Sequence, residues 1–174
     1  NNEAPKLDET EWNSILESIK QAISQFDAFR QTEGQALKKD LTGNIATILK
    51  NLELLEPFEK QRQERYRLRL MASLEENMPV DKIDMNRYEQ EIIYFLEKMD
   101  INEEKVRLRQ HCAYFVDTIN NEEQPGRKLG FIAQEIGREI NTIGSKSNDA
   151  DMQKIVVLMK DDLEKVKEQV LNLL

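Results

Sequence analysis

Apolar residues recur at intervals of three and four along almost the whole chain, and no other feature constrains its fold as strongly. Trp12, Ile15, Ile19, Ile23, Phe26 and Phe29 form one stripe, and Leu37, Leu41, Ile45, Ile48, Leu52 and Leu55 form a second. Near the end, Met152, Val156, Met159, Leu163, Val166, Val170 and Leu173 repeat the pattern. A period of this size winds side chains onto one face of an α-helix, whereas a half-buried strand alternates by two. No stretch here alternates between turn signals, so an all-α fold of long helices is predicted. The near-heptad spacing also implies coiled-coil-like packing against another helix, from the same chain or another subunit.

Composition supports long helices. Charged residues make up 33% of the 174 positions and aromatics 6%, with only six glycines and four prolines to interrupt a helix. A net charge of −8 excludes an overall basic footprint for nucleic acid or an anionic membrane, leaving only local patches. Cys112 is the single cysteine and His111 the single histidine, which excludes an internal disulfide and a Cys/His zinc cage. No apolar run approaches the roughly 18 residues of a membrane span, so no membrane partner is expected.

Punctuation divides the chain. Asp8 and Glu11 read as a capping box opening the first helix, and Thr32, Glu33 and Gly34 as a break after it. Pro57 is expected to kink the next helix, which resumes to Glu76, so the two helices suit a long hairpin. Asn77 to Pro79 is a loop, Asp84 an N-cap, Asp100 with Glu103 a second capping box, and Asn120 to Gly126 a surface loop. Asn148 or Asp149 starts the last helix. The expected organisation is a helical hairpin over 1–80 and a C-terminal helical domain over 81–174.

The segment "GRKLGFIAQEIGREINTIGSK", Gly126 to Lys146, holds four of the six glycines. On a helical wheel Leu129, Ile132, Ile136, Ile140 and Ile143 form the buried stripe. Gly130, Ala133, Gly137 and Gly144 fall on one flank, where small residues let another backbone approach. Lys128, Glu135, Glu139 and Lys146 fall on the other, and Arg127, Gln134, Arg138 and Asn141 face outward.

Glu135 and Glu139, at i and i+4, suit either a hard divalent cation or acid–base work; the plainer reading pairs each with a neighbouring base. His111 lies beside the stripe of Leu108, Cys112 and Phe115, with Arg107 one turn before it. It reads as a structural histidine or as a general acid/base or metal ligand. Cys112, on the stripe itself, reads as an inert core residue. "KQRQERYRLR", Lys60 to Arg69, sets five basic residues against one Glu. Arg62, Arg65 and Arg69 share a helical face there, and Tyr66 is placed to stack on a base. The alternative is a solvated basic helix that pairs with the chain's surplus carboxylates.

Together these segments resemble the YicC-like family of bacterial endoribonucleases. The likeness is densest in "GRKLGFIAQEIGREINTIGSKSNDADM" and looser in "KDDLEKVKEQVLNLL"; "YEQEIIYFLEKMDINEEKVRLRQH" and "TEGQALKKDL" support it. Glu135, Arg138, Glu139, Asn141, Thr142, Ser145 and Lys146 match the family's pattern. Gly130 and Gly137 depart from it, standing where the family often has Asp and Asn. The resemblance implies the C-terminal part of a longer, metal-dependent, RNA-cleaving protein that forms a ring-like homo-oligomer in the bacterial cytoplasm. On that reading Glu135, Glu139 and His111 hold a divalent ion (Mn2+ or Mg2+) and form the catalytic group, with Glu91 and Asp100 as further carboxylates. Arg107, Arg127, Arg138 and Lys146, with Arg62, Arg65 and Arg69, contact RNA. The competing expectation is a helical scaffold that oligomerises and clamps RNA without chemistry of its own.

Overall fold

The computed structural model describes residues 8–173, and among these every regular element is helical. The all-α expectation is met. The helices are α1 (Glu9–Glu53), α2 (Glu56–Asn77), α3 (Met85–Lys98), α4 (Asn102–Asn121), α5 (Gly126–Lys146) and α6 (Ala150–Val170). Short 3-10 turns lie at Val80–Lys82 and Leu171–Leu173. The chain divides into two units, Asn1–Asp40 and Leu41–Leu174.

The break expected at Thr32 to Gly34 does not occur, because α1 passes through it. One helix-interior glycine costs only about 1 kcal/mol, and no proline reinforces it. The chain turns instead at Leu54 and Leu55, where their N–H groups donate to the Asn51 and Leu52 carbonyls at 3.1 and 3.2 Å. Pro57 sits in the first turn of α2 rather than kinking a continuous helix; its missing N–H has no intrahelical partner to lose there.

Three expected caps form, the first at Asp8, whose N–H donates to Glu11 and whose carboxylate accepts from the Thr10 N–H, each at 3.4 Å. The Asp84 carboxylate accepts from the Asn86 and Arg87 N–H groups at 3.0 and 3.2 Å. Asp149 accepts from Asp151 and Met152 at 3.0 and 3.2 Å, which selects it over Asn148. The Asp100–Glu103 box does not close: Asp100 accepts from the Asn102 N–H at 2.9 Å, while Glu103 turns to Arg107.

In the unit Leu41–Leu174 a continuous core is drawn from five helices. Leu41, Ile45, Ile48 and Leu52 of α1 and Ile92 of α3 join Leu108, Cys112 and Phe115 of α4 in it. Leu129, Ile136 and Ile140 of α5 and Met159, Leu163 and Val166 of α6 complete the core. Burial pushes the Cys112 thiol up to about 12, so it is a protonated core residue at neutral pH. In the unit Asn1–Asp40 the stripe from Trp12 to Phe29 is uncovered, with Trp12, Ile15, Ile19, Ile23, Phe26 and Phe29 between 45% and 62% exposed.

The small flank of α5 faces α6, as close backbone approach requires. A Cβ at Gly130 would lie 3.9 Å from Val170, one at Gly137 3.2 Å from Leu163, and one at Gly144 3.0 Å from Val156. Each step of seven up α5 is matched by seven down α6, which is an antiparallel pair in constant register. The opposite flank faces α4, where Lys128 pairs with Glu122 and Lys146 with Glu104.

Candidate functional site

The α4/α5 seam carries most of the candidate chemistry. Its lower end is a tightly paired charge cluster. Lys146, in the last turn of α5, donates to the Glu104 carboxylate at 2.8 Å and to the Asp100 carbonyl at 2.9 Å. Arg62 of α2 reaches into the same place, donating to the Lys146 carbonyl at 2.7 Å and the Met99 carbonyl at 2.9 Å. It thereby closes the free carbonyl ends of α5 and α3, which have no intrahelical donors. Burial lowers the Arg62 pKa, against the raising pull of Glu59 and Asp149. Lys105–Glu59 at 2.7 Å and Arg65–Asp149 at 3.0 Å flank the cluster.

This arrangement corrects the reading of the basic run. Arg62 is 7% exposed with both terminal nitrogens engaged, so it is a structural residue and not part of an RNA-facing surface. The Tyr66 ring is stacked on Phe95 at 3.4 Å between centroids, with Arg69 at 5.7 Å from the same ring, so it is committed to the protein rather than held open for a base. Arg65 and Arg69 remain at the surface.

Register places the other candidates. The pairs Glu104–Lys146 and Glu122–Lys128 obey one antiparallel alignment of α4 on α5. One heptad up from the first pair, that alignment sets His111 level with Glu139. Glu139 is 8% exposed, and His111 is half-buried. Among the described residues neither side chain makes a hydrogen bond or ion pair. Glu135 is held by Arg138 at 2.8 Å, as the plainer reading of that glutamate expects. Arg107 pairs with Glu103, and Arg127 lies 5.8 Å from the ring of exposed Phe131. Exposed Arg127, Phe131, Gln134, Arg138 and Asn141 make the outer face of α5.

Among the described residues no three His, Cys, Asp or Glu side chains gather as a metal cage requires. Glu135, Glu139 and His111 therefore do not fit a closed all-protein site. A carboxylate and an imidazole at one level fit only the looser mode in which water and substrate phosphate complete the shell.

The His111–Glu139 level and Phe131 are the features that the sequence reading missed. The signal for the first was present as Glu104 and His111 seven apart, with Glu139 and Lys146 seven apart, but it becomes visible only when the two helices are aligned. Phe131, one turn from Arg127, left no comparable sign.

An all-helical unit with an antiparallel α4–α5–α6 core, and with a histidine and a buried carboxylate level on one seam, defines the class. A model of the endoribonuclease YicC-like C-terminal domain matches residues 55–173, and the chain belongs to this family. It is 33% identical over 163 residues to the Probable endoribonuclease YicC of Clostridioides difficile strain 630, covering 93% of this chain and 56% of that protein. To the Probable endoribonuclease YicC of Haemophilus influenzae it is 30% identical over 159 residues, covering 91% and 55%. The chain thus spans little more than half the length of these curated relatives. Among the described residues no helix is long and apolar enough to cross a membrane.

Proposed function

We propose that this chain is the helical part of a cytoplasmic endoribonuclease that hydrolyses RNA phosphodiester bonds as a homo-oligomer, with the chemistry on the α4/α5 seam. The observation that carries the reading is Glu139: a residue only 8% exposed whose carboxylate has no partner among the described residues, in the family-matching helix, level with the only histidine. Its oxygens are not among the sealed, unpartnered side-chain atoms of the described residues, so the carboxylate is both unpaired and open to a ligand at the rim of the core.

In this reading His111 takes or returns the proton at the scissile phosphate, and Glu139 orients it. Arg107, one turn from His111, and Arg138, next to Glu139, neutralise phosphate charge. Both now pair with neighbouring glutamates in exposed ion pairs worth at most about 1 kcal/mol, so a phosphate can displace those partners. Arg127 extends this path along the outer face of α5. Where Mn2+ or Mg2+ takes part, Glu139 and His111 are the donors this chain would offer. Such an ion would supply charge neutralisation at the phosphate.

Changing His111 to Gln, or Glu139 to Gln, in the full-length protein is expected to lower cleavage of a structured RNA by about a hundredfold or more. Stability should stay nearly unchanged, because among the described residues neither side chain makes a hydrogen bond or ion pair. Full cleavage by both variants would overturn the assignment. That no three-ligand cage gathers among the described residues supports one second reading, in which these helices clamp RNA and the rest of the protein cuts it. Cleavage by the 174-residue chain alone, tested with and without Mn2+, would sink that second reading.

A further inference from the structure

The first half of α1 carries a strict heptad that nothing in its own unit covers. Trp12, Ile19 and Phe26 are seven residues apart, as are Ile15, Ala22 and Phe29, which makes them successive a and d positions of a coiled coil. All but Ala22 are large side chains exposed by 45% or more. We propose that this face pairs with the same face of a second copy of the chain, antiparallel, about a two-fold axis between Lys20 and Gln21.

The occupant follows from self-complementarity. Reversing the helix about that axis sets Trp12 against the partner's Phe29, Ile15 against the partner's Phe26, and Ile19 against the partner's Ala22. Every a position meets a d position, and each layer recurs by symmetry, as an isologous interface demands. The edge beside the seam carries Glu9, Leu16, Ile23 and Arg30, an order that reads charge, apolar, apolar, charge from either end. Reversal brings Glu9 to the partner's Arg30 and Leu16 to the partner's Ile23. Arg30 already lies along the stripe, 5.9 Å from the Phe26 ring.

Charge fixes the direction. Residues 8–19 hold four acids, Asp8, Glu9, Glu11 and Glu17, and no base, while 20–32 hold Lys20 and Arg30 against Asp27. Parallel pairing would lay the four acids of one copy beside those of the other; antiparallel pairing lays them beside the basic half. The area is sufficient as well. Three half-exposed aromatic rings and the aliphatic residues between them offer roughly 500–600 Å2 per chain, so the pair clears the roughly 1,000 Å2 that a specific interface needs.

This pairing needs neither RNA nor the His111 level, so it stands or falls separately from the nuclease reading. Sedimentation equilibrium of the 174-residue chain is expected to show self-association. Ile19→Glu with Phe26→Glu should weaken it by more than about a hundredfold, since both charges would be buried in the seam. Helicity should persist, because neither side chain belongs to the core. Glu9→Arg alone should weaken association roughly three- to tenfold, and Glu9→Arg with Arg30→Glu should restore it, since the swap recreates both symmetric ion pairs. A wild-type chain that stays monomeric up to about 100 μM, or association untouched by the double glutamate variant, would overturn the pairing. Failure of the charge swap to rescue would overturn the antiparallel direction. Cleavage assays on the same variants report on the nuclease reading alone.

Discussion

Arg62 and Arg69 belong to the same basic run and have opposite roles because of where their guanidinium groups end up. Arg69 lies in solvent over Tyr66, whereas Arg62 is buried and satisfies the Lys146 and Met99 carbonyls, tying together the ends of α3 and α5. Truncating the second strands two helix-terminal acceptors and leaves the surrounding carboxylates with one cation fewer. Arg62→Gln is therefore expected to destabilise the fold by about 2–4 kcal/mol, and Arg69→Gln by less than about 0.5 kcal/mol. Urea midpoints of the two variants measure the contrast directly. Equal midpoints would mean that Arg62 is dispensable to the helix ends it touches.

At the scale of the helix, the glycines of α5 are explained by what they face. Gly144 has Val156 at 3.0 Å from where a Cβ would be, so Gly144→Val forces α5 and α6 apart and should cost about 1–3 kcal/mol. Gly43, on the exposed side of α1, has nothing within 4 Å, and Gly43→Ala should raise stability by about 1 kcal/mol through helix propensity alone. Thermal unfolding should shift in opposite directions for the two. The small flank of α5 was legible in the sequence because its period is local to one helix, and so were the caps at Asp84 and Asp149. The level shared by His111 and Glu139 was not, because it depends on how two helices align, and Glu104 and Lys146 are 42 residues apart when they set that alignment. The burial of Arg62 was hidden for a related reason. Helix α2 carries only a sparse stripe, half-buried Phe58, Tyr66, Leu70 and Leu74, and Arg62 occupies the gap in it, drawn in by carbonyls of two other helices. The continuity of α1 was misread because a single glycine was weighed as a stop when it is only a small propensity cost.

Across the whole chain, apolar residues serve two separate purposes. Among the described residues none before Leu41 is buried, whereas the unit Leu41–Leu174 has a closed core of its own. The large side chains of the first unit therefore add nothing to that core, and their stripe serves association with a second copy. A chain shortened to residues 41–174 should then keep its cooperative unfolding, with stability within roughly 0.5 kcal/mol of the 174-residue chain. The same shortened chain should lose self-association through the α1 seam. Chemical denaturation and sedimentation of one sample measure both. Loss of the unfolding transition on removing 1–40 would show that the first unit supports the second, which the lack of any buried side chain from Trp12 to Phe29 argues against.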